Sequence, residues 1–221
     1  VLIMKKTLAA ILALATVLSV GGRAQDARAT LDAAAKALGA GSLKTLEFSC
    51  WGYDYVFGQA HHGTSPWPRF NVPGYTMSID FVAPAVRDDR RRTQLESPPL
   101  GGGFQPLFGE MRQIWVASGQ YAWDVAGGNA VAARIRDDRR PTALGRLEQI
   151  TLTPQGFVKA AVANNATVKT ETIRGARKTI VSFTTPAARY EGMLNDQHLV
   201  ERIEGWFGHT VLGDTTMEAS F

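Results

Sequence analysis

Beyond Ser42 the chain alternates. Leu46, Phe48 and Cys50 take turns with Glu47, Ser49 and Trp51, a period of two that predicts a strand from Leu43 to about Phe57. After an intervening loop, Tyr75, Met77, Ile79 and Phe81 alternate with Thr76, Ser78 and Asp80. That is the clearest half-buried strand in the sequence. Val86 to Leu95 pairs back on it across a turn at Ala83-Pro84. Met111 to Ala117 and Tyr121 to Val125 form a hairpin over Ser118-Gly119. Four further strands are predicted at Thr167 to Thr172, Lys178 to Thr184, Ala188 to Leu194 and His198 to Trp206, with turns at Arg174-Gly175 and Asn195-Asp196. Gly208 ends the fourth, and a last strand starts near Thr216.

Three segments follow the helical period instead. In QDARATLDAAAKALGAG, the alanines favour helix, Leu31, Ala34, Ala35 and Leu38 share one face, and Gly39 and Gly41 stop it. Arg139 to Gln149 reads as a helix after Pro141. TPQGFVKAAVANN reads as a short helix entered through Thr153-Pro154 and ended at Asn164-Asn165. The expectation is an α+β fold: an N-terminal helix and one large curved antiparallel sheet, a half-barrel, covered by one or two helices.

The first 24 residues stand apart. Lys5-Lys6 precedes an apolar run, Leu8 to Val20, too short to span a bilayer comfortably, and Gly22-Arg23-Ala24 supplies small residues for cleavage. This predicts a signal peptide over 1–24, a single β-rich domain over 25–221, and a periplasmic or secreted bacterial protein without a stable membrane span. The last predicted strand runs to Phe221 with no polar tail, so the chain is expected to be the front part of a longer protein.

Composition then sharpens two points. With 45% hydrophobic and 20% charged residues in 221, the chain has globular composition. The formal charge of +4 falls to +1 without the signal, whose three basic groups face no acid, so the pI near 9.4 overstates the basicity of the mature chain. Nucleic-acid binding, which needs a clustered basic footprint, is not expected. Cys50 is the single cysteine and reads as a small hydrophobe in a strand, so no internal disulfide supports the core.

Candidate chemistry is sparse. His61-His62 sits in the loop GQAHHGTSPWPRF, but adjacent side chains diverge, and no H-x-H, H-E-x-x-H or C-x-x-C accompanies them. They read as solvated loop histidines, with a ligand pair as the alternative. The prolines of that loop should take the chain out of the sheet, leaving Trp67 and Phe70 to fasten it. RDDRR occurs at Arg87 and again at Arg136. Alternating signs on a strand predict cross-strand ion pairs on a wet face, and the alternative is an anion patch built from Arg90, Arg91 and Arg92. The five tryptophans, with Phe57, Phe70 and Phe104, read mostly as core, or as the lining of an apolar groove. GGGFQP lacks the helix and lysine of a phosphate loop, and no G-x-S-x-G is present. No catalytic or metal-binding residue is assigned. The candidate ligand or interface residues are His61, His62, Trp67, Phe70, Arg90 and Arg92.

Several segments carry a family look: AQDARATLDAAAKALGA, GYDYVFGQA, SPWPRFNVPGYTMSIDF, GGGFQP, SGQYAWDV, LTPQGFVKAAVANNATV and LNDQHLVERIEGWFGHTVLGD. Together they resemble the β-rich N-terminal region of exported bacterial metallo-β-lactamase-fold hydrolases. The resemblance implies a non-catalytic leader that orients a hydrolase, dimerises or selects substrate. Its partners would be a downstream hydrolase domain of the same protein and a second copy. It places zinc in that downstream domain, since the family's H-x-H-x-D-H motif is absent from this sequence. More loosely, the helix followed by a meander is similar to LolA-type lipoprotein carriers. That likeness implies an incomplete barrel with an apolar ligand and, as an alternative function, a periplasmic lipid carrier.

Overall fold

The strands divide between two antiparallel sheets, where the alternation pattern predicts one large curved sheet. The computed structural model describes residues 26–55, 60, 62–95, 109–133, 141–209 and 213–221. The signal segment, His61, Phe57, the GGGFQP stretch and the second RDDRR lie outside them. The chain forms two compact units. Unit 2 is the contiguous segment Leu43–Gln149, and unit 1 combines the chain up to Ser42 with Ile150–Phe221.

Unit 2 is a six-stranded meander in chain order: β1 (Thr45–Tyr55), β2 (Arg69–Asp80), β3 (Ala85–Gln94), β4 (Glu110–Ser118), β5 (Tyr121–Ala126) and β6 (Asn129–Ala132). Three of the turns have a local cause. Asp80 Oδ1 accepts from the backbone N–H groups of Val82 and Ala83 at 2.7 and 3.0 Å, closing the β2–β3 turn. Gly119 and the Gly127-Gly128 pair take positive φ at the next two hairpins. Helix α2 (Thr142–Thr151) starts after Pro141, as predicted.

Unit 1 holds helix α1 (26–37), helix α3 (Pro154–Ala163) and a five-stranded sheet: β7 (Thr167–Ile173), β8 (Ala176–Thr184), β9 (Ala188–Leu194), β10 (Val200–His209) and β11 (Gly213–Ser220). Thr153 caps α3 by accepting from the Gly156 N–H, with Pro154 in the first turn. The β7–β8 turn uses Arg174 and Gly175, both at positive φ. Leu31 and Ala34 of α1 and Phe157, Val158 and Ala161 of α3 are buried with one face of β8–β10. A chain of rings fills that core. Phe157 meets Phe183 at 5.3 Å, Phe183 stacks on Tyr190 at 5.2 Å, and Tyr190 meets Phe207 edge-on at 5.7 Å. Side chains of α1 and α3 pack with this face of the sheet into one buried cluster.

Several boundaries differ from expectation, β11 starting at Gly213 and not near Thr216 among them. β2 begins at Arg69, directly after Pro68, so the chain rejoins the sheet earlier than the prolines suggest, and β10 runs through Gly208 to His209. No helix of the described residues is long and apolar enough to cross a membrane.

Candidate functional site

The period of two sorts unit 2 into two faces. On one face of β3 lie Val86, Asp88, Arg90 and Arg92, and on the other Arg87, Asp89, Arg91 and Thr93. The three consecutive arginines therefore form no common patch. Asp88 is 2% exposed and takes two bonds from the Arg90 guanidinium, one of them 2.9 Å from Nε. Arg92 pairs with Asp54 of β1 and donates to Gln113 Oε1 at 3.0 Å. From α2, Arg146 donates to the Val116 and Trp123 carbonyls at 2.9 and 2.7 Å and to Asp124 Oδ1 at 2.5 Å. The Trp115 ring lies 4.8 Å from the Arg90 guanidinium and 5.7 Å from that of Arg146. Three arginines thus meet three aspartates on the buried face. Burial, with Asp88 beside it, pushes the Tyr75 phenol far above its usual value, so this hydroxyl stays protonated within hydrogen-bond reach of Asp88.

The opposite face of the same strands is open and carries a groove. Its shape begins with Pro73. Between the Gly52–Val72 and Cys50–Tyr75 pairs, β2 has one more residue than β1. It likewise has one more than β3 between Asn71–Thr93 and Gly74–Arg91. This bulge is why a proline, which has no ladder donor, is tolerated in an interior strand. The bulge, β1 and the outer side chains of β3 and β4 enclose about 600 Å³. Trp51 and Pro73 form one wall, Ser49 and Thr76, hydrogen-bonded to each other at 2.8 Å, line the floor, and Arg91 and Arg112 form the other wall. Trp51 is 83% exposed, and Tyr53 and Tyr55 extend the same aromatic row along β1.

Asp89 organises the cationic wall. It accepts from Arg112 Nε and Nη2 at 2.9 and 2.7 Å and from Arg87 Nη2 at 2.8 Å. The Arg112 hydrogen bond above all, then Arg87, holds its carboxyl below the usual carboxylate range, against the opposing effect of burial. Because the folded value is the lower one, these pairs contribute fully above the unfolded carboxylate pKa of about 4 and are lost as pH falls through the folded value. Asp89→Asn is expected to flatten the dependence of the urea midpoint on pH below about 4. A variant whose acid limb overlays that of the parent would refute this role.

The remaining sequence candidates fall elsewhere. His62 makes a local turn contact, its Nδ1 and Nε2 lying 3.0 and 2.9 Å from the Thr64 and Ser65 hydroxyls. Trp67 is half-exposed, whereas Phe70 belongs to β2 and is buried, so it is a core residue and not a loop fastener. Trp206 packs under Arg189 in unit 1, 3.9 Å from guanidinium to ring centre. Cys50 lies in β1 but is exposed. Among the described residues, no three His, Cys, Asp or Glu side chains are grouped to hold a metal. Sequence reasoning missed Gly74 and Arg112 altogether. Their place in the groove depends on register, although the Pro-Gly pair inside an alternating run was a signal for the bulge.

No family model matches the chain, and no curated protein does. Among solved structures, the chain is similar to the lipoprotein LppX of Mycobacterium tuberculosis. Identity is 11%, the match covers 88% of this chain and 94% of that one, and the TM-score is 0.31. A likeness of that strength carries no argument about fold or function. The resemblance to metallo-β-lactamase-fold proteins therefore stands on the segments quoted above and nothing more.

Proposed function

We propose that this chain is an exported module that binds a small amphiphile in the open groove of unit 2, in the manner of a periplasmic carrier. The observation that carries the reading is the aromatic row on β1. Trp51, Tyr53 and Tyr55 are 83%, 59% and 53% exposed and face the same side of the strand. At 3.3 Å per residue the row is about 13 Å long. Exposed apolar surface of this extent is costly unless something covers it, and aromatic side chains with a wet edge suit an acyl chain whose other end stays in water. Export rests on the signal-peptide pattern at the N-terminus.

The packed core of unit 1 argues for an open groove over an internal cavity as the binding place. The same groove would serve a leader domain by selecting the substrate of an attached hydrolase. One of the segments with the hydrolase-family look, SPWPRFNVPGYTMSIDF, supplies Pro73 to Thr76 of the groove.

The test is calorimetric titration of the mature chain with twelve-carbon amphiphiles below their micelle threshold. Saturable binding is expected, with Trp51→Ala weakening it about ten-fold or more. Absence of binding by every such amphiphile overturns the reading.

A further inference from the structure

We propose that Arg91, laid across Gly74, and Arg112 form an anion seat in this groove, so that the polar end of the ligand is a carboxylate or a phosphate ester. The inference rests on the amphiphile reading and names the headgroup chemistry of the same site.

Three observations carry it. First, the Arg91 guanidinium occupies the space that a side chain at position 74 would need. A Cβ on Gly74 would stand 2.6 Å from Nη2, 3.0 Å from Nε and 3.2 Å from Cζ of Arg91. Gly74 does not adopt a positive φ, so its absent side chain matters for space alone. The bulge thus leaves room for a planar guanidinium against the groove wall. Second, the donors are not exhausted. Arg91 reaches Glu110 Oε1 only at 3.9 Å, the outer limit of an ion pair, and its side chain is half-exposed. Arg112 directs Nε and Nη2 to Asp89, and no described bond engages its Nη1. A guanidinium has five N–H donors, and two neighbouring guanidinium groups match the oxygens of a carboxylate or phosphate in paired fashion. Third, the local charge is positive. The residues that line the groove set Arg91 and Arg112 against Asp89, which leaves one positive charge. An apolar wall at Trp51 opposite this seat gives the groove two chemically distinct ends.

The experiment compares dodecyl phosphate, dodecanoate, the neutral dodecyl maltoside and inorganic phosphate on the mature chain, its Arg91→Gln and Gly74→Ala variants and Trp51→Ala, at low and high salt. The expected result is binding of both anionic amphiphiles at least ten-fold tighter than the maltoside at low salt. That preference should vanish in Arg91→Gln, fall in Gly74→Ala and shrink in high salt. Trp51→Ala should weaken all three amphiphiles and keep the preference. Unchanged melting curves of Arg91→Gln would show that the fold is intact, and Gly74→Ala tests the space at position 74 independently. Equal binding of anionic and neutral amphiphiles, unaffected by Arg91→Gln, overturns the seat and leaves the amphiphile reading standing. Binding of inorganic phosphate as tight as that of dodecyl phosphate supports the seat and overturns the amphiphile reading. Binding of none of the four overturns both.

Discussion

Asp88→Ala is expected to destabilise unit 2 by about 3–5 kcal/mol, because it strands the Arg90 guanidinium in a buried place. Asp88 is the most buried charged residue of the unit and receives two of Arg90's donors. Its neighbours offer little substitute. Asp54 lies at 4.0 Å and already pairs with Arg92, and the Tyr75 and Trp115 rings contribute only cation–π attraction. The reciprocal change is informative. Replacing both partners, in an Asp88→Leu/Arg90→Met chain, should recover most of the loss, since an apolar pair of similar volume has no desolvated charge to satisfy. Urea titration followed by tryptophan fluorescence reads this unit well, because Trp51, Trp67, Trp115 and Trp123 lie in it and only Trp206 lies in the other. A loss under about 1 kcal/mol for Asp88→Ala would show that Arg90 finds another partner or escapes to solvent.

The second large effect belongs to unit 1 and turns on one missing methyl group. Phe157 projects from α3 and is completely buried, and the tip of its ring lies over Gly192 of β9. A Cβ at position 192 would fall inside the van der Waals envelope of that ring. Gly192→Ala must therefore push α3 away or tilt Phe157 against Phe183, which is expected to cost about 1–3 kcal/mol, the usual penalty of overpacking. Phe157→Ala removes the ring that joins the helix to the aromatic chain and is expected to cost about 3–5 kcal/mol by leaving a cavity. Combined, the two should be less harmful than their sum, because the added methyl group enters the space the ring has vacated. Hydrogen exchange of the β8 and β9 amides reads the three variants. Strict additivity would mean that ring and glycine do not touch in solution.

Element identity was readable because it depends on local period. Tyr75 to Phe81 alternates without exception, and Thr153-Pro154 with Asn164-Asn165 brackets a helix at both ends. Sheet membership was not readable, because alternation says that a residue lies on a strand and nothing about which strand pairs with it. β6, four residues with no apolar–polar contrast, gave no periodic signal at all. The split of Arg90 and Arg92 from Arg91 was implicit in the period of two once Val86 is taken as inward. Within the first RDDRR, the wet-face expectation holds for Arg87, Asp89 and Arg91. Trp51 went the other way: its place on a strand argued for packing, yet β1 is an edge and the residue faces water. The proximity of Arg91 to Gly74 arises from a bulge plus cross-strand register, a product of pairing that no single segment encodes.

The way the chain is threaded sets an order of events during synthesis. Unit 2 is one unbroken segment whose strands pair only with sequence neighbours, so it can close as soon as it has emerged. Unit 1 has no such freedom. Leu31 and Ala34 are made first, but the core they enter includes Ile203 and Phe207, which arrive near the end. Helix α1 must therefore wait with its apolar face bare while the whole of unit 2 is completed. The earliest described helix is among the last to find its partners, and a chaperone that shields a short alanine-rich helix during that interval would have its clearest target here.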